Sequence, residues 1–248
     1  MKQISLYRIF LLIKRYIYVY LKTYLIGFAA AGVTMLMLSI IITWSNNGEY
    51  NHISFQNQMQ VVVVICGYII TSTIFKEINS KHSGWFYTML PANPSEKVLS
   101  YWSLSSIGYI IVASIAMILV SILTSLVTII LFKTNFYVYN PFCESNVFFM
   151  VNYCIFQSIF FLGAIYFKKN NFIKTILAIM LFVTALIVVV GVVNFLLFEE
   201  TSIKYVELVN ENKEGKIALK YVAEFVYYGL LVPFMLIVSY FRIKEREV

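Results

Sequence analysis

The chain has 248 residues, of which 60% are hydrophobic and only 12% are charged. Soluble globular proteins average about 45–50% apolar and about 25% charged residues. So few charges cannot cover a water-exposed surface, so the composition excludes a soluble protein and predicts an integral membrane protein. The net charge of +7 is more typical of basic cytoplasmic loops than of nucleic-acid binding, and we expect no nucleic-acid partner.

Six apolar runs are predicted to cross the bilayer, whose hydrocarbon core of about 30 Å requires roughly 20 helical residues. They cover residues 24–44, 59–75, 102–132, 147–167, 175–198 and 221–241. The second run is short, so its helix is open to an earlier start, near Phe55. The third run corresponds to about 46 Å of helix and must tilt, protrude from the membrane or bend. The sequence thus predicts an all-α integral membrane protein with one domain, residues 1–248, and six transmembrane helices.

The distribution of Lys and Arg predicts the orientation of these spans. If the N-terminus is cytoplasmic, 14 of the 19 Lys and Arg residues fall in cytoplasmic segments. Cytoplasmic loops of membrane proteins carry an excess of these residues. We therefore expect both termini in the cytoplasm, with an even number of spans between them.

The residues before the first span form a pattern typical of an amphipathic helix. One helical face carries Leu6, Ile9, Phe10, Ile13, Ile17 and Tyr20, and the opposite face carries Arg8, Arg15 and Lys22. This pattern predicts an N-terminal interfacial (elbow) helix, with its basic side toward lipid headgroups. The alternative is a simple cytoplasmic extension of the first span.

Two segments between spans are long enough to have structure of their own. The cytoplasmic segment from Lys76 to Tyr101 contains two prolines, which end any helix near Leu90. Pro94 is predicted to begin the next helix, with Asn93 as its cap. The outside segment 199–220 has alternating polar and apolar residues around a polar turn, a pattern compatible with a hairpin or with short helices.

Polar residues within the spans are candidates for a substrate path or for close helix packing. The third span carries such residues at near-helical spacing: Ser114, Ser121, Thr124, Ser125 and Thr128. Small hydroxyl residues let helices approach closely, so we favour packing for this stripe and expect it to face other helices and not lipid.

Four further polar side chains lie in the later spans. Asn152, Gln157 and Asn194 are costly to bury in lipid and should find partners within the bundle. Glu224 is the only charged side chain inside a predicted span. It lies about one turn from the outer end of that span, which favours an interfacial position over a role in gating or substrate entry.

The residue inventory argues against an enzyme on this chain. It contains no Asp and only two His residues, His52 and His82. Membrane desaturases and metalloproteases need several His, and intramembrane aspartyl proteases need two Asp, so we expect neither these activities nor a metal site. The spacing of Gly27 and Gly32 matches a P-loop, but Val33 replaces the phosphate-binding Lys and the run lies within a span. Any ATPase that drives this protein must therefore be a separate polypeptide.

Three cytoplasmic stretches carry a resemblance to a known family. WFYTMLPANPSEKVLSYW (85–102) resembles the LPAS-x-x-EK signature between the second and third spans of ABC-2 type transporter permease subunits from Bacteroidota. YFKKNNFIKT (166–175) and SYFRIKEREV (239–248) are similar to the turn between the fourth and fifth spans and to the C-terminus of those subunits. Asn93 stands where the family more often has Ser. The six-span layout and the elbow helix extend the resemblance over nearly the whole chain.

The resemblance implies a mechanism and its partners. In such transporters two permease subunits, identical or homologous, join two ATPase subunits in the bacterial cytoplasmic (inner) membrane. The ATPases bind ATP and Mg²⁺, and short cytoplasmic helices convey their movement to the spans, so we expect no cofactor on this chain. The expected function is that of the membrane-spanning subunit of an exporter; the resemblance does not indicate the cargo. A six-span scaffold or channel-like protein without an ATPase is the alternative.

The segment from Lys76 to Lys97 is the predicted ATPase-coupling loop. Its mixed charges suit a polar docking surface, and its aromatic residues could anchor in a groove of the partner. The aromatics could instead lie at the headgroup level of the lipids. The predicted contact residues are Lys76, Glu77, Lys81, Trp85, Phe86, Tyr87, Glu96 and Lys97.

Overall fold

The computed structural model describes residues 5–46, 52–79, 89–198 and 220–247, and all regular structure in these residues is helical. The helices are α1 (Leu6–Ser45), α2 (His52–Thr73), α3 (Lys76–Asn79), α4 (Pro94–Phe132), α5 (Glu144–Tyr166), α6 (Asn171–Phe198) and α7 (Lys220–Arg246). Six helical stretches are long and apolar enough to cross a membrane. Six helices of membrane-spanning length and composition are therefore confirmed. Residues 199–219, which belong to the predicted outside segment, lie beyond the described residues.

Helix α1 is longer than the first predicted span. It runs without a break for 40 residues, about 60 Å at 1.5 Å per residue. The sequence predicts an interfacial helix followed by a span at 24–44, whereas the structure joins the two into one helix. No proline interrupts Leu6–Ser45, so the backbone hydrogen bonds continue through the basic residues into the apolar run. Helix α2 likewise begins at His52, well before residue 59 and close to the earlier start near Phe55.

Two of the long helices contain a π turn. Helix α4 includes one at Leu104–Gly108, near the start of the predicted span 102–132. Helix α7 includes one at Val226–Leu230, just before Pro233. Proline has no N–H to donate to the carbonyl one turn earlier, which explains a local change of hydrogen-bond register there. In α4 the π turn is contacted by side chains of another helix, described below.

Helix α5 lies at the centre of the bundle. It packs against α2, α6 and α7, while α1 packs along α4. Helix α6 is held mainly near its start, where Thr175 is buried, and its residues 180–193 are almost entirely exposed on the outside of the described chain. The core of the protein is therefore built by α1, α2, α4, α5 and the last turns of α7.

A buried aromatic and aliphatic cluster marks one end of the bundle. There α1 begins, α2 ends, α4 begins, and α5 and α7 end. The cluster contains Tyr16, Ile74, Phe75, Val98, Tyr101, Phe161, Ala164, Ile165 and Ile243. Arg246 donates a hydrogen bond to the carbonyl oxygen of Tyr166 at this end, at 3.4 Å. We call this end, with its basic residues on α1, α3, α7 and the α5–α6 loop, the basic end of the bundle.

Candidate coupling site

Glu96 joins the start of α4 to the start of α1 at the basic end. Its side chain is 0% exposed. One carboxylate oxygen accepts the backbone N–H of Ser5 at 2.8 Å, and the other accepts the backbone N–H of Asn93 at 2.9 Å. The guanidinium of Arg8 lies 3.7 Å from the second oxygen. The structure confirms that α4 starts at Pro94, with Asn93 before it. The hydrogen bond between Glu96 and Ser5, the residue before α1, could not be predicted from the spacing of residues along α4.

The environment of Glu96 favours its charged form. Glu96 lies in the first turn of α4, ahead of the uncharged run that begins at Trp102. Burial by itself raises the pKa of a carboxyl group. The N–H donors of Ser5 and Asn93 and the positive charge of Arg8 outweigh burial, so the pKa of Glu96 lies below its ordinary value. The site therefore holds a carboxylate at neutral pH.

Glu77 makes a second connection to α1, from the other end of the predicted coupling loop. Its side chain is largely buried and lies 3.0 Å from a guanidinium nitrogen of Arg15. The hydroxyl of Tyr20 donates to the other carboxylate oxygen at 3.2 Å. Arg8 and Arg15 thus point at the chain's own carboxylates and not, as the sequence predicted, at lipid headgroups. A carboxylate removed from water needs such a partner, because an unpaired buried charge is costly.

The structure divides the predicted coupling residues into three groups. Glu77, Glu96 and Lys97 are turned inward, and the side chain of Lys97 is only 1% exposed. Lys76 is exposed on α3. The rest of the predicted contact surface, which comprises Lys81, Trp85, Phe86 and Tyr87, lies outside the described residues. The inward group holds the ends of the loop in place, so a docking surface would have to be formed by the remaining residues.

The π turn of α4 is held by polar side chains of α5. The hydroxyl of Tyr153 donates to the carbonyl oxygen of Ser105 at 3.1 Å, and Nε2 of Gln157 donates to the hydroxyl oxygen of Ser105 at 2.6 Å. A side chain that inserts among the backbone hydrogen bonds of a helix can change them locally, and π turns are frequent at functional sites. Gln157 therefore has the partner within the bundle that the sequence predicted, on an irregular segment that the sequence did not predict.

Gly67 of α2 lies against Tyr153 and against Tyr109, the residue that follows the π turn. A Cβ atom there would be 2.5 Å from the Tyr153 ring and 2.7 Å from the Tyr109 ring. The hydroxyl of Tyr109 donates to the carbonyl oxygen of Val63 at 2.6 Å. The absence of a side chain at residue 67 therefore lets α2, α4 and α5 meet closely.

Gly67→Ala is expected to lower the free energy of unfolding by about 1–3 kcal/mol, because overpacking a tight contact forces side chains or backbone to shift. Gly27→Ala is the matched control, since a Cβ there meets nothing within 4 Å. It should be neutral or slightly stabilising, because Ala is the better helix former. Thermal unfolding of the two variants in detergent measures the difference, and equal melting temperatures would contradict the close packing at Gly67.

An apolar cavity of about 220 Å³ lies beside the π turn, between α1, α2 and α4. Ser105 and Gly108 of the π turn form one wall, and Tyr16, Tyr24 and Phe28 of α1 lie opposite. A cavity with such walls is suited to an apolar group and offers few polar contacts.

The predicted polar stripe of α4 is buried over most of its length. Ser121, Thr124, Ser125 and Thr128 are fully buried, and Ser114 is half-buried. The hydroxyl oxygen of Ser121 accepts the N–H of Tyr139 at 3.0 Å. The hydroxyl of Ser125 accepts the N–H of Tyr137 at 3.2 Å and donates to the carbonyl oxygen of the same residue at 2.5 Å. Part of this stripe thus faces the connection between α4 and α5, not only another helix.

Asn146 organises a polar cluster at the end of the bundle opposite to the basic end. It is almost fully buried. Its Oδ1 atom accepts hydrogen bonds from Nε2 of Gln56 at 2.7 Å and of Gln60 at 2.8 Å. Its Nδ2 atom donates to the carbonyl oxygen of Asn140 at 2.6 Å. One side chain therefore fastens α2, α5 and the α4–α5 connection together.

The remaining polar candidates are far from the basic end. The Oδ1 atom of Asn152 accepts the hydroxyl of Tyr227 on α7 at 2.9 Å, so it has the interhelical partner that the sequence predicted. Glu224 is about half exposed and lies 3.8 Å from the ammonium of Lys220, as an interfacial residue would. The side chain of Asn194 lies outside the described part of the chain.

Several residues of this site could not be identified from the sequence. Ser5, Ser105 and Tyr153 are common residue types without a distinctive spacing, and their roles arise from contacts between helices far apart in the chain. Arg8 and Arg15 did give a signal, because they share one face of α1. That signal did not reveal Glu96 and Glu77 as their partners.

Comparisons of the chain with protein-family models, with curated proteins and with solved structures gave no match.

Proposed function

We propose that this chain is the permease subunit of an ABC-2 type exporter in the bacterial inner membrane, with both termini in the cytoplasm. A separate ATPase subunit would hydrolyse ATP, and a second copy or a homologous permease would complete the transporter. The resemblance of residues 85–102, 166–175 and 239–248 supports this proposal, as does the presence of six helices of membrane-spanning length.

One structural observation supports the coupling part of the proposal most directly. The segment between Lys76 and Lys97 is connected to α1 at both of its ends: Glu77 pairs with Arg15, and Glu96 binds the N–H of Ser5. A displacement of this segment would therefore move the N-terminal half of α1 together with the start of α4. A coupling element needs such a connection, since packed helices shift as units and do not deform continuously.

In this proposal the two faces of the first turns of α1 have different roles. Leu6, Phe10 and Ile17 are exposed on the part of α1 that continues the first span toward the cytoplasm, and this face would be free to contact a partner subunit. Arg8 and Arg15 would hold the coupling loop from the other face. The π turn of α4 would then be a point at which movement of the loop changes the hydrogen-bond register of the third span.

The test is purification of the tagged protein from its native membrane in mild detergent, followed by mass spectrometry of the proteins that accompany it. The proposal predicts a stoichiometric ABC ATPase subunit. Trp85→Ala should weaken ATPase binding about 30-fold, as expected when an interface residue contributing about 2 kcal/mol is truncated. Trp44→Ala is the matched control, because Trp44 is exposed at the far end of α1.

The outcomes separate the proposal from its alternative. Loss of the ATPase with Trp85→Ala but not with Trp44→Ala would support docking through the Lys76–Lys97 segment. If the wild-type protein carried no ATPase even after mild crosslinking, the permease proposal would fail. A scaffold or channel-like protein working without an ATPase would then be the better description.

A further inference from the structure

A second cavity, of about 470 Å³, lies at the basic end between α2 and the start of α6. Its walls combine two kinds of surface. Lys76, Lys168 and Lys169 provide ammonium groups, and Phe172 and Ile173 provide apolar side chains. The contacts that Glu77 and Glu96 make with the start of α1 do not involve these lysines, although Lys76 is also one of the predicted docking residues.

The electrostatics of this cavity favour an anion. Its three lysines are exposed, and no carboxylate is present among the described residues that line it. The cavity also borders the N-terminus of α6, a helix of 28 residues that begins at Asn171. The first N–H groups of a helix have no partner within it and carry partial positive charge, so they add to the attraction for phosphate.

The walls are fixed before any ligand binds. The side chain of Asn171 donates to the carbonyl oxygen of Ser72 at 3.3 Å and to that of Ala164 at 3.2 Å. Asn170 adopts a left-handed backbone conformation, with φ of 55°, that turns the chain into α6. These contacts hold the start of α6 against α2 and α5, so little ordering of the backbone would be needed for binding.

The apolar surface next to the lysines favours binding of a lipid over binding of a free anion. Ile173 and Leu177 are four residues apart on α6, so they share one helical face. Both are exposed, as is Ile69 on α2. An acyl chain can lie along this surface while its phosphate reaches the lysines, whereas a soluble phosphate would leave the surface uncovered.

We propose that this cavity binds the phosphate headgroup of an anionic phospholipid, with Lys76, Lys168 and Lys169 as its charged contacts. Basic pockets between transmembrane helices are suited to such headgroups. The site would hold a structural lipid of the leaflet that faces the basic end. The inference does not depend on the transport role proposed above.

Native mass spectrometry of the detergent-purified full-length chain tests the proposal, with phosphatidylglycerol and phosphatidylcholine titrated separately. The wild type should retain phosphatidylglycerol in preference to phosphatidylcholine. The double variant Lys168→Gln/Lys169→Gln should bind phosphatidylglycerol about 25-fold more weakly, since each lysine near an anionic headgroup contributes about fivefold. The control Lys14→Gln/Lys244→Gln removes the same charge from two exposed lysines that do not line the cavity and should leave binding unchanged.

Three results would overturn the proposal. If phosphatidylglycerol binding were weakened equally in the test and control variants, the effect would come from net charge and not from this cavity. Equal retention of the two lipids by the wild type would remove the headgroup preference. Displacement of phosphatidylglycerol by inorganic phosphate or glycerol phosphate at millimolar concentration would identify a site for soluble phosphate, in which the acyl chains contribute nothing.

Discussion

Glu96→Ala should lower the free energy of unfolding by about 3 kcal/mol, or the melting temperature by roughly 6–12 °C for a chain of this size. The variant removes the acceptor for the N–H groups of Ser5 and Asn93 and the partner of Arg8. Hydrogen bonds to a charged group contribute about 1.5–3 kcal/mol each, and a buried donor left unpaired adds a desolvation cost. Thermal unfolding in detergent, followed by tryptophan fluorescence, measures the effect.

Two Glu-to-Gln variants test whether the loss of stability comes from the burial of the Glu96 carboxylate. Glu96→Gln keeps an oxygen acceptor but loses the charge, so it should cost less than Glu96→Ala. Glu245→Gln is the matched control, because Glu245 pairs with Arg242 at 2.6 Å while its side chain is 63% exposed. An exposed pair contributes at most about 1 kcal/mol. A control variant as unstable as the Glu96 variants would contradict a specific role for the buried carboxylate.

The effect of Glu96 should depend on pH in a defined direction. Its pKa is lowered in the folded protein, so the stabilisation is complete above the ordinary pKa of a glutamate, about 4.3. It is lost as the pH falls through the lowered value. The difference in melting temperature between wild type and Glu96→Gln should therefore be greatest near neutral pH and shrink below about pH 4. A difference that stayed constant over this range would refute the charged state of Glu96.

Asn146→Ala should lower the free energy of unfolding by about 2–3 kcal/mol, because it removes a buried side chain that partners three partly buried polar groups at once. These groups are the amides of Gln56 and Gln60 and the carbonyl of Asn140. The loss should also free the connection between α4 and α5, residues 133–143. Hydrogen exchange of the backbone amides in that connection should accelerate together with the loss of thermal stability.

Two other asparagine variants test this account. Asn135→Ala, in the exposed part of the same connection, should change stability by less than about 0.5 kcal/mol. Asn146→Asp retains the acceptors for Gln56 and Gln60, but it removes the donor to Asn140 and buries a charge. It should therefore also be strongly destabilising at neutral pH. A stable Asn146→Asp protein with unchanged hydrogen exchange would exclude Asn146 as the organiser of the cluster.

The sequence predicts that some polar residues have partners within the bundle, but it does not identify those partners. The cost of burying an amide predicts that Asn152 and Gln157 have partners, and the structure supplies Tyr227 and Ser105. Hydroxyl spacing predicted packing for Ser121 and Ser125, but the surface that meets them is the backbone of residues 137–139. A periodic pattern defines which face of a helix is polar, but not which distant segment will cover it.

The sequence by itself determined the all-helical class of the protein and the number of helices long and apolar enough to span a membrane. An apolar run of about 20 residues is sufficient to define a membrane helix, because the backbone satisfies its own hydrogen bonds locally. The start of α4 at Pro94 could also be predicted from the sequence, since helix capping depends on residues only a few positions apart. Only the tertiary structure decided the rest: the pairing of Glu96 and Glu77 with α1, and the π turn held by Tyr153. Those contacts join residues 48–91 positions apart, and spacing along one helix contains no information about which helix lies beside it.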